Sequence, residues 1–283
     1  MKKRFALLLA LVLLVSLAAC GSQKLTMQDL MDANRPEALL EAYDSVTIVC
    51  TMNGQSNGAY YLTDDYSYEK QEGWSMYITN DTAFAYRNGA YERLVFLTAD
   101  GLVSYEDYRS DKYTDVLFSQ ESSWEKVQSV TETQNQITVT CTMKRNHLKK
   151  ALGEQGAKSF DSEYLLDERT YALISAKGTL LYGENETLEV SMDCTYNAEA
   201  PEEIKAFQEY ANQTEDLRTI TLVFHSGTQQ EKAEIIQAPK GLSVGLGLPV
   251  NATEVFSIYA DAACTIPYQS NGDYTSDATI YIK

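Results

Sequence analysis

Five cysteines and two histidines are the side chains of this 283-residue chain best suited to chemistry, and their spacing limits what that chemistry can be. Cys20 closes an apolar run, Cys50, Cys141 and Cys194 sit in stretches of alternating apolar and polar residues, and Cys264 lies near the C-terminus. No Cys-x-x-Cys pair occurs, and His147 and His225 stand far apart, so a zinc site or a dithiol redox centre lacks its usual spacing. His147 belongs to the basic patch Lys144-Arg145-Asn146-His147-Leu148-Lys149-Lys150, and His225 follows a strand pattern. No H-E-x-x-H and no phosphate-binding glycine loop accompanies them. Asp64-Asp65 and Glu202-Glu203 read as solvated turn and helix-start residues, and the alternating oxygen ligands of a calcium loop are missing. The residues predict no catalytic centre, no metal and no cofactor.

Cys20 has a different chemistry. Lys2, Lys3 and Arg4 precede an apolar stretch from Phe5 to Leu17, and Leu17-Ala18-Ala19-Cys20-Gly21-Ser22 follows. That stretch is too short for a hydrocarbon core of roughly 30 Å at about 1.5 Å per residue, so residues 1–19 read as a cleavable signal peptide. Small residues ending on cysteine resemble the lipobox of bacterial lipoproteins. The resemblance implies that the Cys20 thiol carries diacylglycerol and becomes the new N-terminus, with residues 20–24 as a tether. The expected location is extracytoplasmic, anchored by lipid to a bacterial cell membrane.

The charge of −17 becomes −20 once Lys2, Lys3 and Arg4 are removed with no acidic residue. A surface of that sign repels nucleic acid and anionic headgroups, so membrane attachment falls to the acyl chains and nucleic-acid partners are excluded. The twenty tyrosines suit strands with half-exposed faces.

Local signals mark out the scaffold around these side chains. Thr26-Met27-Gln28-Asp29 carries a helix N-cap pattern, and Pro36 restarts a helix at its first turn. From Val46 the period changes to two. Asn53-Gly54, Asn57-Gly58, Asn80-Asp81, Asn88-Gly89 and Asp100-Gly101 punctuate a meander of about five strands up to Leu97. Further strands are expected at Trp124–Thr133, Ile137–Met143, Phe160–Leu166, Tyr171–Leu181 and Leu188–Tyr196, with a short helix at Leu148–Leu152. Pro201 opens an amphipathic helix with Ile204, Phe207 and Tyr210 on one side. Asn212–Asp216 reads as a linker, and short strands follow at Thr219–Phe224, Lys232–Ile236, Val255–Tyr259 and Thr279–Ile282. Cys50, Cys141 and Cys194 fall on the apolar side of their strands, either as buried thiols or with one disulfide between neighbouring strands.

The order of elements over Leu25–Tyr196 resembles the LolA/LolB-like lipoprotein carriers. So does the phrase Glu163-Tyr164-Leu165-Leu166-Asp167 followed by Tyr171-Ala172-Leu173-Ile174. The resemblance implies an α+β, mainly β fold: a curved antiparallel sheet (half-barrel) packed on one or more helices, over residues 25–213. It also implies a lipid or lipoprotein as ligand. Alternation supplies Ile48, Met52, Trp74, Met76, Ile78, Val139, Met143, Val190 and Met192 as candidate lining for such a ligand, or as a closed core beneath the helices.

Tyr259-Ala260-Asp261-Ala262-Ala263-Cys264-Thr265-Ile266-Pro267-Tyr268 and Tyr274–Tyr281 resemble the end of an internalin-type B repeat, which implies a small β module over residues 217–283. The usual Gly-Trp is replaced by Phe256-Ser257-Ile258. Two functions follow as expectations: a non-enzymatic, membrane-anchored lipoprotein holding an apolar ligand, or a cell-surface structural or protein-interaction module with a closed core.

Overall fold

A computed structural model of the chain describes residues 25–109, 118, 120–143, 146–148, 157–182, 186–247, 257–268 and 274–283. Cys20 and the expected signal peptide lie outside the described residues, as does most of the expected helix at 148–152.

Two short helices open the fold, α1 (Met27–Ala33) and α2 (Pro36–Ala42). The capping box is formed. The Asp29 amide donates to the Thr26 hydroxyl at 3.3 Å, and the Thr26 amide returns a bond to the Asp29 carboxylate at 2.8 Å. Bonds from Thr26 hold the Asp29 carboxyl below its ordinary pKa. Pro36 starts α2 as expected, because its missing N–H is one a first-turn residue leaves unbonded anyway.

The meander then runs β1 (Val46–Met52), β2 (Gln55–Leu62), β3 (Tyr66–Gln71), β4 (Trp74–Thr79), β5 (Ala83–Arg87) and β6 (Ala90–Thr98), followed by the short β7 (Gly101–Leu102). There is one more strand before Leu97 than the turn signals suggested. Glu72-Gly73 makes an extra hairpin, with Gly73 at φ 78°. Asn53-Gly54 and Asn88-Gly89 turn as expected, all four residues at positive φ. Asn57-Gly58 does not turn. Cys50 pairs with Gly58 while Thr51 pairs with Ser56, so Asn57 is the extra residue of a β-bulge inside β2.

A second group follows: β8 (Glu125–Thr133), β9 (Gln136–Met143), β10 (Ala157–Asp167), β11 (Leu173–Tyr182) and β12 (Glu186–Tyr196). β12 returns to pair with β1 from Val46↔Tyr196 to Met52↔Val190. The two meanders thereby join in one curved, unclosed sheet, β6-β5-β4-β3-β2-β1-β12-β11-β10-β9-β8, with helices on both faces. The fold class is α+β, mainly β, as the sequence predicted.

On the inner face α1 and α2 cover Ile48, Leu62, Val139, Leu166 and Leu173 with Met27, Leu30 and Leu39. On the outer face α3 (Ile204–Ala211) sets Ile204 and Phe207 against Tyr61, Tyr68, Tyr77 and Phe84.

The C-terminal stretch forms β13 (Leu217–Phe224), β14 (Lys232–Pro239), β15 (Ser243–Gly247), β16 (Ile258–Tyr259) and β17 (Ala278–Ile282). Four of these make a small sheet, β14-β13-β17-β16. The fifth, β15, is a strand that the sequence pattern does not announce. It leaves that sheet and pairs parallel with β6, Ser243↔Glu92 to Gly247↔Phe96. Val95 and Leu97 of β6 share a core with Ile220, Leu222, Phe224, Val244, Ile280 and Ile282. The small sheet is thus knitted to the large one by both main-chain bonds and packing.

Candidate functional site

The inner face is not covered along its whole length. Strand alternation aligns three rows across β10, β11, β12 and β1. Phe160, Leu180 and Leu188 form one, Ser162, Gly178, Val190 and Met52 the next, and Tyr164, Ala176, Met192 and Cys50 the third. β11 contributes only Ala176 and Gly178, between Ser162 and Tyr164 of β10 and Val190 and Met192 of β12. The result is a trough of about 200 Å³. The Phe160 ring leans over Gly178: a β-carbon there would stand 2.6 Å from Phe160 Cζ and 2.9 Å from Val190 Cγ2. Glycine at this position is therefore what lets Phe160 and Val190 form the walls. Met52, 40% exposed, stands at the rim next to the Asn57 bulge.

One part of the trough is polar. Ser162 and Tyr164 project into it from β10, and both hydroxyls donate to the carboxylate of Glu125 behind them on β8. The Tyr164 bond is 2.8 Å long, and the Ser162 hydroxyl donates to the other oxygen. Glu125, Ser162 and Tyr164 are all buried. Burial pushes the Glu125 carboxyl above its ordinary pKa, against the pull of the two hydroxyl bonds. The same burial, with the Glu125 charge nearby, raises the Tyr164 phenol and pushes the Cys141 thiol up to about 12. Cys194 is pushed up to about 12 by burial, then by Cys50 and Asp193; Cys50 is raised by burial and by Glu69. Cys50, Cys141, Cys194 and Cys264 are all free thiols. Cys141 contacts Met27 Sδ at 3.4 Å, packing as a small apolar group beneath α1.

The nine candidate lining residues do not meet in one place. Met52, Val190 and Met192 line the trough. Ile48 and Val139 are fully buried beneath α1 and α2. Met76, Ile78 and Trp74 pack with Phe96 and Tyr108 further along the inner face, and Met143 packs with Leu148, Ala157 and Leu180. Sequence reasoning missed Glu125, Ser162, Tyr164, Ala176 and Gly178. A signal for Glu125 existed, since it opens a strand on the side of Val127. The bulge between Val127 and Ser129 then breaks the alternation that would have revealed a carboxylate facing inward.

Other candidates are weaker. Gly54-Gln55-Ser56-Asn57-Gly58 matches the letters of a serine nucleophile elbow, but that motif needs a strand-to-helix turn. Here it runs from hairpin turn into β2, and Ser56 is exposed opposite Thr51. Both histidines are engaged elsewhere, His225 at 3.0 Å from Asp100 and His147 against the Trp124 ring. A larger hollow of about 380 Å³ opens between α2 and the β2–β3 hairpin. Glu37, Glu41, Asp64 and Glu106 line it, which makes it a poor place for an apolar ligand. Among the described residues no cluster of three or more His, Cys, Asp or Glu side chains could hold a metal ion. No helix among them is long and apolar enough to cross a membrane.

No protein-family model and no curated protein sequence matches the chain. Solved structures of loosely similar layout include the Mycobacterium tuberculosis lipoprotein LppX, at 10% identity and TM-score 0.34, covering 61% of this chain and 97% of that one. LprF from Mycobacterium bovis is similar at 12% identity and TM-score 0.34, covering 62% of this chain and 94% of that one. A LolA superfamily protein from Nitrosomonas europaea follows at 8% identity and TM-score 0.22, covering 64% and 97%.

Proposed function

We propose that this chain is a non-enzymatic extracytoplasmic lipoprotein, tethered to the membrane through an acylated Cys20, that holds an apolar group in its half-barrel. The observation that carries the reading is the trough on the inner face, open at Met52 and kept free by Ala176 and Gly178. An apolar hollow with a few convergent polar groups is the common form of a small-molecule site. The ligand is a lipid or the lipid portion of a lipoprotein. Native mass spectrometry of the mature protein from its host tests this: co-purifying lipid is expected, and protein that is always lipid-free would sink the reading. The acidic surface leaves attachment to the acyl chains, so Cys20→Ser should move the folded protein to the soluble fraction.

The second reading, a surface interaction or structural module, is favoured by one observation. The C-terminal strands bury their apolar side chains in a core shared with β6. On this reading residues 217–283 act as a B-repeat-like interaction module. Occupancy of the trough separates the two readings, because a display module has no use for a bound lipid.

A further inference from the structure

The polar part of the trough restricts which lipids it can take, an inference that rests on the apolar-ligand reading above. Ser162 and Tyr164 each have one hydroxyl proton, and both protons are directed to the Glu125 carboxylate. What these two oxygens have left to offer a ligand in the trough is lone pairs. A ligand group arriving there must therefore donate a hydrogen bond.

Charge acts in the same direction. Glu125 is buried close behind the two hydroxyls, and a ligand carboxylate lying against them would meet a like charge in a poorly hydrated site. Among the described residues one cation borders the trough, Lys177, but alternation sends its side chain to the opposite face. There it is exposed and lies beside its register partner Glu163. The remaining described neighbours of this end are neutral: Phe160, Ala176, Gly178, Val190 and Met192. None of these residues can compensate a ligand carboxylate.

We infer that the trough selects amphiphiles whose polar end is neutral and hydroxyl-bearing, such as long-chain alcohols or acylglycerols, and rejects free fatty-acid carboxylates. Glu125 acts here as a specificity-determining residue through Ser162 and Tyr164, which are the groups that touch the ligand.

Decanol and decanoate share a chain length, so comparing them isolates the polar end. Each is titrated at pH 8 into the full mature chain carrying Cys20→Ser, with binding followed by calorimetry. Decanol should bind about tenfold or more tightly than decanoate, the size expected when one ligand satisfies a buried polar site and the other does not. Glu125→Gln removes the charge while keeping a side chain able to meet both hydroxyls, and should shrink the ratio to about threefold or less. If Glu125→Gln does not fold, Ser162→Ala serves instead: decanol should weaken several-fold while decanoate stays as weak as before.

Equal affinity for the two ligands, or tighter binding of decanoate, overturns the inference and leaves the apolar-ligand reading standing. An unchanged ratio in Glu125→Gln, or in Ser162→Ala where that variant is used, overturns the role given to Glu125. Binding of neither ligand overturns both readings together.

Discussion

Two parts of the large sheet, the outer face over β2–β6 and the inner face over β10–β12 and β1, end up in opposite states. On the outer face, α3 drives Phe207 among Tyr68, Tyr77 and Tyr91, with ring centroids 5.1 to 5.9 Å apart. Tyr210 adds a contact with Phe84 at 6.2 Å. Aromatic rings and one helix close the outer face over β2–β6. On the inner face, α1 and α2 close the region around Ile48 and Leu173 but stop short of Gly178 and Met52. Side-chain volume therefore decides which part of the sheet stays open. Where every strand supplies an aromatic ring the sheet is covered, and where β11 supplies Ala176 and Gly178 beside Ser162 it is not.

Phe207→Ala strikes the closed face hardest. It removes a fully buried ring and should cost about 3–5 kcal/mol, read as a lowered urea midpoint. Decanol affinity of the remaining folded protein should not change. A comparable loss of ligand affinity would mean that the two faces are not independent.

Next comes the polar end of the open face. Glu125→Leu strands the Ser162 and Tyr164 hydroxyls in a buried site and should cost about 1–3 kcal/mol. Titration of the native carboxyl gives a separate readout. Because burial raises the folded-state value, the folded protein holds a proton that the unfolded chain releases near 4.5. The Glu125 contribution to stability is therefore complete below that pH and lost as pH rises through the folded value. Chemical denaturation across that window should show a decline that Glu125→Gln flattens. An identical pH profile in the variant would show that Glu125 does not titrate differently in the two states.

Smaller effects come from the periphery of each face. Thr26→Ala removes the cap of α1 above the inner face and should cost about 1 kcal/mol by thermal melting. On the outer face, Lys70 and Glu203 meet at 2.6 Å between β3 and the start of α3, with both side chains more than half exposed. Water screens such a pair, so Lys70→Met should cost less than about 1 kcal/mol. A larger loss would give this contact a share in docking α3 that its exposure does not suggest.

Much of the fold was legible because its signals are local. The alternation of Ile137, Val139, Cys141 and Met143 marks β9, and all four are buried there. The site was far less legible. Period-two patterning assigns a residue to a face, and Ile48 and Met52 do lie on one face of β1. It carries no information about which part of that face a helix covers, so one residue is fully buried and the other 40% exposed. Bulges at Asn57 and between Val127 and Ser129 also reverse the pattern that periodicity depends on.

Elements whose causes lie within a few residues could be read directly from the chain. These are the Thr26–Asp29 capping box, the start of α2 at Pro36, and the Asn-Gly hairpins with positive φ. Long-range packing settled the rest. It set β15 beside β6, where Gly245 and Gly247 leave room for Leu94 and Phe96, and it brought Glu125 to Ser162 and Tyr164 across 37 and 39 residues. The physical reason is that a cap or turn is stabilised by bonds within one short segment. A strand pairing or a buried polar cluster is stabilised only when distant segments exclude water together.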